Sequence, residues 1–230
     1  MLKVLGWVVL GIIGLPVAWL ASAFVYEIFD TQTYRYRLTI EIEVDGKLRR
    51  GTGVLRGALT RNATWVPQSR GARSRVSGQA IVVDLGDRGS LVALLKGYSP
   101  QADPARLVYN IFPAPVGASG HESIRRFVER SQEIELHKTQ FPLMVRFASL
   151  NDPSTAELAD PANLAQAFRP GIALRRVTIQ PTNDAITTGL KKMIPWLSDG
   201  DSEKVFWKAL TNSGYQPSSS LEIGTLFIRP

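Results

Sequence analysis

His121 and His137 are the only histidines in a chain that has no cysteine at all. They lie too far apart for the i, i+3 or i, i+4 spacing of a helical metal pair, so a transition-metal site would have to recruit scattered carboxylates. Without cysteine there is no disulfide, no thiolate ligand and no thiol nucleophile. The segment GASGH, residues 117–121, approaches a nucleophile elbow with Ser119 at its centre, but His121 stands where the second glycine must be. No clear apolar strand feeds it, and a serine and a histidine so close in one loop do not reach triad geometry. GTGVLRG, residues 51–57, has the wrong glycine spacing for a dinucleotide, and no Walker A sequence occurs. Asp152 sits in Asn151-Asp152-Pro153-Ser154, and Asp84 and Asp87 flank LGDRG. In both places the carboxylates are accounted for by turn chemistry. Consequently no catalytic, cofactor-binding or metal residue is assigned, and no cofactor is expected. The enzymatic alternative is a hydrolase with a scattered site built on His137 or Ser119 and carboxylates from other loops.

The distribution of charge is more informative. The chain carries a net charge of +7. After Asp45 the next acidic residue is Asp84, and Lys47, Arg49, Arg50, Arg56, Arg61, Arg70, Arg73 and Arg75 lie between them. Positive charges without acidic partners in the sequence predict a basic surface directed at an anionic partner: lipid headgroups, a wall polymer or an acidic protein. No nucleic-acid recognition motif accompanies these charges, so nucleic acid is not expected.

The elements that must position these residues begin with an apolar run. From Val4 to Tyr26 no charged residue occurs. As a helix this run would be about 34 Å long, enough to cross a hydrocarbon core of roughly 30 Å. It is apolar all round, unlike a core helix with one polar face. Ala21-Ser22-Ala23 fits a signal-peptidase site, but the run exceeds a signal h-region and bulky Trp19 and Leu20 precede the site. The segment therefore reads as a retained anchor, with the following domain translocated; a cytoplasmic domain is the alternative.

Beyond it, Tyr36, Leu38, Ile40, Ile42 and Val44 alternate with polar residues and lead into Asp45-Gly46, a strand followed by a hairpin turn. The chain returns through LRRGTGVLRGAL, where Gly51 and Gly53 suggest a bulge or an edge. TRNATWVP suggests a short strand around Trp65, and SRGARSR an exposed loop. A second hairpin runs from Gln79 through LGDRG to SLVALLKG. Arg106 to Phe112 reads as an apolar strand, and PAPVGASG as a connector that could divide the domain near residues 113–120. Residues 122–135 have helical spacing, and Leu143–Phe147 reads as a strand. Asp160-Pro161 should open a helix through Phe168, Ile172 to Ile179 should be a strand, and residues 187–197 a final helix. Residues 198–230 read as a partly ordered tail whose last apolar patch docks as an edge strand.

The run FPLMVRFASLNDPSTAELADPANLAQAF, then PGIALRRVTIQPTNDAITTGLKKMIPWL, and the opening YRYRLTIEIEVDGKLRRGTGVL directly after an anchor, resemble a family of uncharacterised single-anchor membrane proteins from proteobacteria. The resemblance covers most of residues 1–197, leaves the tail unmatched, and implies a bacterial envelope location without a known activity. The expected class is thus α+β: a transmembrane helix at 1–30, a β-rich domain of antiparallel hairpins and a few short helices at 31–197, and the tail. The expected role is a binding or scaffolding module, or an accessory subunit of a membrane complex. The expected location is the bacterial cytoplasmic membrane, with residues 4–26 spanning it once and the domain on the extracytoplasmic side.

Overall fold

The computed structural model describes residues 31–61, 72–99, 102–113, 115, 120–216 and 223–230, together with Leu15, residues 17–19 and Ser22 of the leading segment. In chain order the elements are β1 (Thr31–Val44), β2 (Lys47–Arg61), β3 (Ala72–Gln79), β4 (Ile81–Asp84), β5 (Ser90–Gly97), α1 (Leu107–Ile111), α2 (Gly120–Val128), β6 (Ile134–Glu135), β7 (Pro142–Phe147), β8 (Ala156–Leu158), α3 (Leu164–Phe168), β9 (Ile172–Pro181), α4 (Leu190–Met193), α5 (Gly200–Asn212), α6 (Ile223–Phe227) and β10 (Ile228–Arg229). They build a β-rich α+β fold. One antiparallel sheet has the order β10-β3-β2-β1-β9-β6, the other β4-β5-β7-β8.

The smaller sheet is buried on both faces. Leu91, Ala93, Leu95 and Met144 point into a core shared with the inner face of the larger sheet and with Ile124 and Phe127 of α2. Val92, Leu94, Leu143, Val145 and Phe147 point the other way, onto Leu190, Trp196, Phe206, Leu210 and Phe227 of the C-terminal helices and turns. That is why SLVALL and PLMV read as near-continuous apolar runs, whereas β1, with one face open, alternates cleanly. In the second core Phe147 stacks on Phe206 with centroids 6.0 Å apart, and the indole N–H of Trp196 donates to the Leu150 carbonyl at 2.8 Å.

The first hairpin forms as its sequence predicts. Asp45 (φ 48°) and Gly46 (φ 79°) both adopt positive φ, the geometry a two-residue hairpin turn requires. The register then runs unbroken from Val44↔Lys47 to Thr31↔Thr60. Of the two expectations for Gly51 and Gly53, the edge holds and the bulge does not: β3 pairs with β2 only from Arg56 to Arg61, so here β2 pairs with β1 alone, in an unbroken register. These glycines let the second sheet cross closely, since a Cβ on Gly51 would lie 2.6 Å from Val83 Cγ2 and 2.7 Å from the Val82 carbonyl oxygen. The bulge falls instead in β9, where the register against β1 shifts between Glu41 and Ile42.

Other corrections follow from short apolar runs, whose period cannot separate helix from strand. The expected strand 106–112 is helix α1, preceded by a turn in which the Asp103 carboxylate accepts the Ala105 N–H at 2.9 Å. The expected loop 69–75 is strand from Ala72 onward. The helix of 122–135 stops at Val128, and Ile134 joins strand β6. Asp160 forms a turn with Ala162 N–H, so α3 starts only at Leu164. Pro195 limits α4 to one turn, followed by a 3-10 turn at Pro195–Ser198. The acidic stretch after it caps a helix: Asp199 accepts from the N–H groups of Asp201 and Ser202, opening α5. At the chain's end β10 pairs with β3 at the sheet edge. The expected strand around Trp65 lies outside the described residues.

Candidate anionic-partner surface

The two-residue turn decides which side chains share the open face of the larger sheet. Tyr34 to Val44 at even positions face the core. The odd positions of β1 face outward, and opposite each stands an even-numbered residue of β2. The outer face therefore reads, from the turn backwards, Glu43 with Leu48, Glu41 with Arg50, Thr39 with Thr52, Arg37 with Val54, and Arg35 with Arg56.

At the turn end the cations on this outer face are matched. Glu41, whose side chain is only 5% exposed, is held between two guanidinium groups. Arg50 Nε donates to Oε1 at 2.9 Å and Arg176 Nε to Oε2 at 2.6 Å, while Arg176 Nη1 also reaches Glu133 at 3.3 Å. The hydrogen bond from Arg176 is the largest influence on the Glu41 carboxyl, holding it below the usual carboxylate range. Burial opposes that effect and Arg50 adds to it. Arg175, at the bulge, pairs with Glu43, and Arg88 pairs with Asp45 at 3.1 Å. Of the residues singled out from the sequence, Arg50 is thus engaged in an ion-pair network. Lys47 and Arg49 lie exposed beside the turn on the opposite face of β2.

The other end has a different composition. Three rows cross β1, β2 and β3 there: Thr31–Thr60–Arg73, Thr33–Ala58–Arg75 and Arg35–Arg56–Ser77. No acidic side chain occupies any of these positions. Arg35, Arg56, Arg73 and Arg75 are all exposed. Arg35 Nη1 donates to the Asn183 and Asp184 carbonyls, each at 3.1 Å, and Arg56 Nη2 to Ser77 Oγ at 3.4 Å. Neither contact cancels charge; the Asp184 carboxylate is paired with Arg37 in the next row. Arg61 is the last residue of β2, and Arg70 lies outside the described residues.

The structure therefore divides six of the eight cations taken from the sequence. Lys47, Arg49 and Arg50 lie at one end of the hairpin, Arg56, Arg73 and Arg75 at the other, joined by Arg35. Arg35 was missed because it precedes the acid-free stretch. The signal that finds it is the turn itself: with Asp45 and Gly46 at the tip, position 35 must face position 56.

The residues weighed for chemistry are dispersed. His137 is exposed and opens a 3-10 turn, its N–H donating to Gln140 Oε1 at 2.9 Å. It borders a groove of about 400 Å³ with Glu135, Lys138, Asn163, Arg175 and Arg176, and none of the residues lining that groove carries a hydroxyl or thiol. His121 belongs to α2, and Ser119 lies outside the described residues. Asp152 accepts from the Ser154 N–H at 2.9 Å and from its hydroxyl at 2.6 Å, bonds that lower its pKa. Asp84 accepts the Gly86 N–H at 2.9 Å in the β4–β5 turn, and Asp87 lies within that turn.

In the leading segment, Leu15, Val17 and Trp19 are helical and 74%, 58% and 53% exposed. Among the described residues no helix is long and apolar enough to cross a membrane, and most of residues 4–26 lie outside them. In comparisons with known proteins, no family model, no curated protein and no solved structure matches this chain.

Proposed function

We propose that this chain is a single-pass protein of a bacterial cytoplasmic membrane whose β-rich domain serves as an extracytoplasmic binding or scaffolding module. The observation that carries the reading is the leading segment. Leu15, Val17 and Trp19 present large apolar side chains outside both cores, within a run that has no charge from Val4 to Tyr26. An apolar run of that length is stable in lipid and unfavourable in water. The basic outer face of the larger sheet is the module's contact surface for an anionic partner. The resemblance to single-anchor envelope proteins supports the same compartment.

The test is fractionation of the intact chain, combined with a C-terminal reporter active only outside the cytoplasm. Recovery with membranes until detergent is added, with an active reporter, is the expected result. Recovery of the uncleaved chain as a soluble species overturns the anchor, and a silent reporter with the chain in the membrane overturns the orientation.

A further inference from the structure

We infer that the edge of β9 from Ile172 to Leu174 is a docking site for an extended peptide, which pairs with it as an added antiparallel strand and brings a carboxylate to Lys138. This inference stands on that edge alone and is independent of the anchor and of the basic sheet face.

The backbone defines the site. β9 pairs with β1 from Ile172 to Pro181, but on its other side β6 covers only Thr178 and Ile179. The Leu136 N–H adds a bond to the Val177 carbonyl at 2.8 Å, and the chain then leaves the sheet through His137 and the 3-10 turn Lys138–Gln140. Backbone groups of an antiparallel strand point alternately to its two neighbours. The Gly171 carbonyl accepts the Asp45 N–H at 2.8 Å, and Ala173 stands opposite Glu43, so these two residues face β1. Ile172 and Leu174 therefore turn their N–H and C=O groups the other way, where no strand among the described residues meets them. Ile172 is buried and Leu174 half-buried, and such backbone groups need partners. A second backbone in line with β6 supplies donors and acceptors at the right spacing, the mode by which sheet edges take up extended peptides. The bulge at Arg175 ends the stretch, so the added strand is short.

The surroundings say what kind of segment fits. This edge forms one wall of the groove of about 400 Å³ that Leu136, Lys138, Phe141 and Leu164 also line. Side chains of an added strand alternate between two faces. On the core side they meet Leu136, Phe141, Leu164 and Leu174, all part of the first core or packed on it. On the other side stand the rim charges. Arg175 and Arg176 are held by Glu43 and Glu41, and Glu135 lies diagonally across from Arg176. Lys138 is exposed and enters no ion pair among the described residues. The fitting segment is thus apolar inward and acidic outward.

The probe is a capped seven-residue peptide of alternating valine and glutamate, read by residue-resolved amide hydrogen exchange of the full chain. In the free chain the amides of Ile172 and Leu174 should exchange faster than that of Ala173, and the peptide should slow both about tenfold or more. An antiparallel partner shares its side-chain face with the residue it bonds, so N-methylation of the valines should abolish protection and N-methylation of the glutamates should not. Ala162→Trp, which fills the groove from an exposed position, should also abolish it. Lys138→Glu should weaken the glutamate peptide several-fold and favour one with lysine in its place. Circular dichroism checks folding, and the exposed Lys138→Glu keeps the test decisive if the tryptophan variant does not fold. Amides of Ile172 and Leu174 already protected in the free chain, no protection by the peptide, or protection by the valine-methylated form overturns the inference. So does binding lost in Arg56→Glu but kept in Ala162→Trp, which assigns the peptide to the basic sheet face instead.

Discussion

Arg35 and Arg56 face each other directly across β1 and β2, while further along the same two strands Glu41 faces Arg50. One hairpin thus carries a like-charge pair at one end and a complementary pair at the other. Cross-strand pairs contribute roughly 0.2–1 kcal/mol, with opposite sign for like charges. Changing Arg56→Glu should therefore raise stability by about that amount, read as a higher urea midpoint at unchanged slope, and at the same time weaken binding to an anionic partner. A variant that is both more stable and less able to bind separates the two roles of this arginine.

Glu41 is the opposite case. Replacing it by Gln leaves Arg50 and Arg176 side by side with a neutral partner. A loss of roughly 1 kcal/mol is expected, kept modest because both arginines are themselves substantially exposed. The sign with pH follows from its lowered pKa. The stabilisation is fully present above the unfolded carboxylate value of about 4 and is lost as pH falls through the folded value. The difference between wild type and E41Q should be largest near neutral pH and vanish in acid, measured as urea midpoints across that range.

The close crossing of the two sheets predicts intolerance at Gly51. An added methyl would meet both Val83 Cγ2 and the Val82 carbonyl, and a backbone oxygen cannot move aside like a flexible side chain. Gly51→Ala should cost about 1–3 kcal/mol by overpacking, seen as a lower thermal midpoint.

Phe206 tests whether the helix layer belongs to the cooperative unit. It is fully buried among Phe147, Trp196 and Phe227, with centroids at 6.0, 5.6 and 5.4 Å. Phe206→Ala should cost roughly 3–5 kcal/mol. Combined with Phe147→Ala, the loss should be less than the sum, because the two rings share one contact. Denaturant unfolding followed by near-ultraviolet and far-ultraviolet signals reads both effects.

How much of this was legible in the residues differs from element to element. β1 could be read because its outer face is open, so apolar and polar residues alternate. Asp45-Gly46 then set the register of the whole first hairpin, including the Arg35–Arg56 pair. The second hairpin and β7 could be read from their apolar runs, but not that both faces of their sheet are covered. Runs as short as LVYNI hold too few residues for a period, and α1 became a helix through the turn that Asp103 makes ahead of it and its burial. SDGDSEK looked like a tail because capping residues and linker residues are the same small polar types.

By itself, the sequence determined a charge-free leading run, a β-rich α+β domain, one long hairpin and an excess of arginine. Only the tertiary structure decided which arginines lie near one another. Closeness along the chain is not closeness across a sheet: pairing β9 against β1 brought Arg175 and Arg176 to the carboxylates at the turn, and pairing β3 against β2 brought Arg73 and Arg75 to the first two outward-facing rows of β1. Ion pairing cancels charge within a few ångströms, so Arg50 is neutralised on the outer face while Lys47 and Arg49, on the opposite face of β2, have no acidic partner there.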